Sequence, residues 1–272
     1  MPASHSIKPA KARPAAVAGR FYPADPMELR RMVQGFLSGA LPDAAAAPKA
    51  VIAPHAGYIY SGPIAASAYA RLAPARLVIK RVVLIGPSHF VSFEGLAAAS
   101  AQAFATPLGL VPVELEAVGR ICALPQVMVL DQAHAREHSL EVQLPFLQVA
   151  LGDFQIVPLL LNNAADEVVD RVLDALWGGP ETCWVISSDL SHYHAYASAR
   201  EMDAATSRAI EQLRPQDITE DQACGRVPIC ALLRAARRHG LRARTVDLRN
   251  SGDTAGQRSQ VVGYGAFVFE EI

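Results

Sequence analysis

Arg81-Val82-Val83-Leu84-Ile85-Gly86-Pro87-Ser88-His89 is a short apolar run, rich in β-branched residues, that stops at glycine and proline and delivers a histidine. Such a run reads as a strand buried on both faces, the kind found at the centre of a parallel sheet. The same device occurs on either side of it. Lys49-Ala50-Val51-Ile52-Ala53-Pro54 leads to His55, and Cys183-Trp184-Val185-Ile186-Ser187-Ser188-Asp189-Leu190-Ser191 leads to His192. In open α/β sheets, ligands bind beyond the carboxyl ends of the strands. Three imidazoles brought to that edge can therefore meet, although they are far apart in the chain. Imidazole binds transition metals and is the usual general base near neutral pH.

Outward from these strands the pattern alternates. Asp25 to Leu37 reads as a helix with Asp25 as N-cap and Pro26 at its first position. Gly62 to Leu72, Val113 to Leu124, Asp166 to Leu176, Asp203 to Leu213 and Val227 to His239 have helical character. Leu96 to Phe104 reads as a strand, as do Phe154 to Leu161, Leu241 to Leu248 and Val261 to Glu270. Ser139 to Leu151 has helical spacing, with Pro145 expected to delay or kink it. This predicts an α/β fold in three layers, a central and mostly parallel sheet flanked by helices. We expect a flexible leader over residues 1–17 and a single domain over 18–272, with no internal repeat or linker.

The chain has 272 residues, 51% of them hydrophobic, and a net charge of -1. No stretch concentrates arginine and lysine among aromatics, so a nucleic-acid partner is not expected. No run reaches the 18 or more apolar residues of a membrane span, and Met1 to Gly19 lacks the apolar core of a signal peptide. Cys122, Cys183, Cys224 and Cys230 form no C-x-x-C pair. Free thiols in a reducing cytoplasm are expected.

Two further stretches carry chemistry. Asp131-Gln132-Ala133-His134-Ala135-Arg136-Glu137-His138-Ser139-Leu140-Glu141 is the densest titratable segment. His134 to His138 fits H-x-x-E-H, the inverted zinc-protease pattern, which needs a continuous helix. The helical spacing starts only after it, so the better reading is a loop presenting Glu137 and His138 at the rim of a site. Cys224 lies just before a helix, whose N-terminus favours the thiolate that binds metal. Asp189 is placed to orient a histidine through its ring N–H, a common arrangement around metal ligands; the lesser alternative is a cap for the segment that follows.

Together these residues resemble the Memo family, including its bacterial members named protein B of the AmmeMemoRadiSam system. The resemblance is carried by Ala18 to Pro23, Ala53 to Gly62, Gly86 to His89, Glu137 to Phe146, Ser187 to His192, Cys224 to Arg226 and Val261 to Tyr264, in order along the chain. It implies a fold like the catalytic subunit of class III extradiol dioxygenases, which use non-haem iron(II). It places His55, His89 and Cys224 on the metal-ligand positions, with His192 as acid–base histidine and Asp189 beside it. His138 and Glu141 match further pocket positions. Phe21 and Tyr60 match aromatic positions lining the cleft, where an animal relative is described as binding a phosphotyrosine-type peptide.

One departure bears on the metal. Extradiol enzymes hold iron with two histidines and a carboxylate, whereas a thiolate third ligand suits zinc or copper(I) better. The expected cofactor is a divalent metal, Fe(II) first, with Zn or Cu as alternatives. The leading reading is a dioxygenase-like oxidoreductase on a small aromatic substrate. The alternatives are a non-catalytic adaptor that binds a peptide in the same cleft, and a zinc-dependent hydrolase. The family name also implies a functional link to a radical S-adenosylmethionine protein.

Overall fold

The computed structural model describes residues 11–40 and 47–271. The strands are β1 (Ala12–Arg13), β2 (Ala50–Ala53), β3 (Arg81–Pro87), β4 (Gly95–Ala98), β5 (Ala103–Thr106) and β6 (Gly109–Pro112). They continue as β7 (Val127–Val129), β8 (Gln155–Asn162), β9 (Thr182–Ser187), β10 (His192–His194), β11 (Leu241–Asn250) and β12 (Val261–Glu271). The helices are α1 (Pro26–Gly39), α2 (Tyr58–Tyr69), α3 (Leu115–Ile121), α4 (Asp131–Ala135) and α5 (Leu144–Ala150). They end with α6 (Asp166–Leu176), α7 (Tyr196–Glu211) and α8 (Arg226–Arg238).

The apolar runs form the centre, as their composition requires. β2, β9, β3 and β8 lie side by side and all parallel, with Ile52 and Ile85 both in register with Ile186. Every residue of β2 and β9 is buried, and helices flank the sheet. His55, His89 and His192 therefore all follow the carboxyl ends of parallel strands, His192 on β10 at the sheet's edge.

The expectation of a mostly parallel sheet is corrected at its flanks. β4 runs antiparallel to β8, and β12 runs antiparallel to β2, β10 and β11. The reason is loop length. Residues 88–94 between β3 and β4, and 251–260 between β11 and β12, are too short for the crossover of a dozen or more residues that a parallel return needs. The stretch Leu96 to Phe104 is also two strands and not one. It breaks at Ser100, whose backbone N–H donates to the Asp131 carboxylate at 2.7 Å, and β5 joins β1 and β6 in a separate three-stranded sheet.

Helix ends follow local chemistry. Asp25 caps α1 by accepting from the Glu28 N–H at 2.8 Å. Pro145 sits in the first turn of α5, so the helical spacing before it yields only a short 3-10 turn over Glu141–Gln143. The preceding segment is left free to bend around the site. Among the described residues no helix is long and apolar enough to cross a membrane.

The leader expected over residues 1–17 is corrected for its described part; residues 1–10 lie outside the described residues. β1 pairs parallel with β5, and Arg13 is buried, with 6% of its surface exposed. Alanine and proline around it hid the anchor, because its partners are distant in sequence.

One glycine shows how tightly the site's support is packed. A Cβ at Gly263 in β12 would collide with the buried carboxylate of Asp203. That carboxylate accepts the Ser191 N–H at 3.0 Å and so holds the approach to His192. Gly263→Ala should cost about 1–3 kcal/mol by overpacking, lowering the melting temperature by about 2–4 °C for each kcal/mol. Thermal denaturation checks this, and an unchanged melting curve would refute it.

Candidate metal centre

His55 follows β2, and two strand ends fix it. Its backbone N–H donates to Asp189 Oδ1 at 2.7 Å, and its ring Nδ1 lies 2.9 Å from Ser187 Oγ. Ser187 spends its single proton on the Ser139 carbonyl at 2.6 Å, and it accepts from Gln143 Nε2 at 2.9 Å. The hydroxyl can only accept from His55, so the His55 proton sits on Nδ1 and the lone pair on Nε2.

His89 is set by the same logic. Its backbone N–H and its Nδ1 both donate to Glu137, at 2.6 and 2.9 Å. A carboxylate accepts only, so the proton of this bond sits on Nδ1, and Nε2 is the nitrogen left for a metal. Glu137 also accepts from the N–H groups of His138 and Ser139, each at 2.9 Å. Burial alone would raise its pKa, but the His89 ring and the backbone donors outweigh burial and bring it to about 2. Glu137 thus stays ionised and orients His89, as carboxylates behind metal-bound histidines do.

His138 completes a trio. Its ring stacks on His89 at 4.7 Å between centroids and stands edge-on to His55 at 5.5 Å. Its Nδ1 is buried and makes no hydrogen bond among the described residues, although Glu137 Oε1 is 3.2 Å away. The three histidines each offer a nitrogen within 4.8 Å of the others. Burial, then the neighbouring imidazoles, push His55 well below the ordinary histidine range. Burial likewise lowers His138. Three imidazole nitrogens this close together, with one His138 nitrogen left without a hydrogen bond among the described residues, fit a transition metal.

Cys224, expected as the third ligand, stands beside this trio. Its Sγ is 3.4 Å from His55 Nε2, and Ser188 Oγ accepts the next residue's N–H at 2.9 Å. Burial, then the nearby Asp189 charge, push the thiol up to about 12.

Asp189 is buried, with Oδ2 3.9 Å from His55 Nε2. It grips the His55 backbone, whereas the sequence placed it to orient a ring. Burial raises its pKa. His192 lies on β10 and lines, with His89, His194 and Cys224, an open cleft of about 390 Å³.

Glu141, which the resemblance matched to a pocket position, makes its contacts with the N-terminal segment. It is fully buried and paired with Arg13, and it accepts from Ala16 N–H at 2.7 Å, Val17 N–H at 3.0 Å and the Tyr22 hydroxyl at 2.5 Å. Its lone pairs are spent on anchoring the N-terminal segment. Glu141→Ala strands a buried guanidinium, at a cost of about 3–5 kcal/mol. A melting temperature lower by roughly 6–20 °C is expected; a shift of a degree or two would show the pair to be dispensable.

Phe21 packs on His138 at 4.6 Å, and Tyr60 lies in the first turn of α2, where its ring and the Phe21 backbone both flank Gly57. Phe90, missed in the sequence, stands edge-on to His138 at 6.1 Å and is 52% exposed, with the Arg136 guanidinium 5.3 Å above its ring. Its only sequence signal was its place directly after His89. The protease pattern is set aside by geometry. α4 ends before Glu137, and His134 is buried with its Nε2 2.9 Å from the Ala97 carbonyl.

The profile of the Memo-like protein family matches residues 13–268. A MEMO1 family protein of Aquifex aeolicus (strain VF5) is 37% identical over 270 residues, covering 95% of this chain and 99% of the relative. One from Ignicoccus hospitalis is 36% identical over 280 residues, with 94% and 98% covered. One from Aeropyrum pernix is 38% identical over 281 residues, with 94% and 99% covered.

Proposed function

This chain belongs to the Memo-like protein family, and on that premise we propose that it is an iron(II)-dependent, dioxygenase-like oxidoreductase acting on a small aromatic substrate. The observation that carries the reading is the convergence of His55, His89 and His138, two of them with tautomers fixed by Ser187 and Glu137. Iron(II) held there would supply one-electron chemistry toward dioxygen. Cys224 is placed to join the ligands, since metal binding drives off the thiol proton. His192 would move the substrate proton from the cleft side. Phe21, Tyr60 and Phe90 offer ring faces to an aromatic substrate. The likeness to class III extradiol enzymes belongs to this proposal too, supported by imidazoles at the carboxyl edge of a parallel strand core.

The sparse, unpaired cysteines carry our proposal of a cytoplasmic setting, and the family resemblance carries that of a link to a radical S-adenosylmethionine protein. A second reading, a zinc hydrolase, is favoured by the all-nitrogen trio. Three histidines with one open position are a known catalytic zinc arrangement.

Elemental analysis of anaerobically purified protein, followed by oxygen uptake with a panel of catechols and other aromatics, separates these readings. Bound iron with substrate-dependent uptake is expected. Bound zinc with ester hydrolysis and no uptake favours the second reading. Protein without bound metal that binds a tyrosine-containing peptide would sink both in favour of an adaptor.

A further inference from the structure

We infer that Arg13 is a positioning residue for the imidazole cluster, acting from outside it by clamping the segment that carries Glu137 and His138. The inference rests on the metal-site reading above and uses residues which that reading leaves aside. Three donors of one guanidinium reach three points along one segment. Nε donates to the His134 carbonyl at 2.8 Å, Nη2 to the Glu137 carbonyl at 2.6 Å, and Nη1 to the Glu141 carboxylate. The start, middle and end of the segment are thus held from one side.

That grip matters because no regular element shapes the backbone there. α4 ends at Ala135 and α5 begins at Leu144. Between them stands only the 3-10 turn over Glu141–Gln143. On the far side Ser139 provides the grip. Its Oγ donates to the Pro87 carbonyl at 2.8 Å, and its own carbonyl accepts from Ser187 at 2.6 Å. Ser187 and Glu137 are the two groups that fix the His55 and His89 tautomers. The clamp therefore bears on all three imidazoles. Metal–ligand distances tolerate only about 0.2 Å, so a small drift of this backbone would be felt at the metal.

Arg13 is itself held. β1 pairs with β5, and the guanidinium lies 5.2 Å from the centre of the Phe104 ring. The planar fork is essential, because a lysine ammonium is a point donor on a flexible stem and cannot span three separated acceptors. Arg13→Lys nevertheless keeps a cation opposite Glu141, so the buried charge stays compensated.

The test uses cobalt(II) as the probe, because its visible bands report ligand number and geometry. Arg13→Lys should fold with a cooperative melt. Its cobalt dissociation constant should rise by about 10–100-fold, as for other partners behind metal ligands, and the bands should shift. In metal-free protein the amides of residues 134–141 should exchange faster than in wild type, while those of β3 and β9 stay protected. Arg81→Lys is the control. Arg81 grips Glu114 through a similar fork at the opposite end of β3, so it loses stability without touching the cluster. The inference is overturned if Arg81→Lys weakens cobalt binding as much, or if Arg13→Lys leaves affinity, bands and exchange unchanged. Wild-type protein that takes up no cobalt overturns the metal reading instead, and the exchange measurement then decides the clamp by itself.

Discussion

The double variant His55→Ala, His89→Ala should bind zinc(II) roughly 10⁴-fold more weakly than wild type while keeping its fold. The size follows from ligand count. Structural zinc sites gain about 10–16 kcal/mol from four ligands, so two ligands carry at least about 5 kcal/mol. Every 1.4 kcal/mol is about tenfold in affinity. The fold should survive because the partners keep other bonds. Asp189 holds residue 55 through its backbone N–H, and Glu137 retains the N–H groups of residues 89, 138 and 139. Ser187 loses one donor but keeps Gln143 and the Ser139 carbonyl. Titration against a chelating dye, with circular dichroism as the check on folding, measures the effect. Wild-type affinity in the double variant would show that the cluster is not a metal site.

His192→Ala should separate metal binding from turnover. His192 stands in the open cleft with His89 and Cys224 but outside the converging trio. Its removal should leave metal content unchanged and lower the rate by about 10²–10⁴-fold, the usual contribution of a positioned acid or base. The ring is available for this work, since the strong grips around it fall on backbone. β10 pairs with β12, and Asp203 holds the Ser191 N–H at 3.0 Å. Metal analysis and oxygen uptake on one preparation decide the matter. A full rate in the variant would remove His192 from the chemistry, and loss of metal would make it a ligand.

Much of this site can be read locally. Apolar runs that end in Pro-His or Pro-Ser-His state where a strand stops and what it delivers, and the burial of β2, β3 and β9 follows from their composition. Asp25 and Pro26 likewise mark the start of α1 within a few residues. Such signals need only near neighbours, because backbone preference and hydrophobic period act over one or two turns. The cluster itself is less local. The family resemblance grouped His55 and His89 with Cys224; in the structure the nitrogens that converge include that of His138, and Cys224 stands alongside.

The segment around His138 shows why. Its path depends on Arg13, whose carboxylate partner lies 128 positions away, and on Ser187, which meets the Ser139 carbonyl across 48. Glu141 looked like one more titratable group near a site, and only its burial against Arg13, Tyr22 and two backbone N–H groups reveals an anchor. The antiparallel flanks were hidden for a related reason, since loop length limits a strand's direction while pairing depends on which edge is open. By itself, then, the sequence determined the parallel strand core and the edge at which its histidines emerge, because those are statements about neighbouring residues. The tertiary structure decided which imidazoles meet, which carboxylate orients and which one anchors. Those outcomes depend on the approach of side chains whose separation along the chain carries no local pattern.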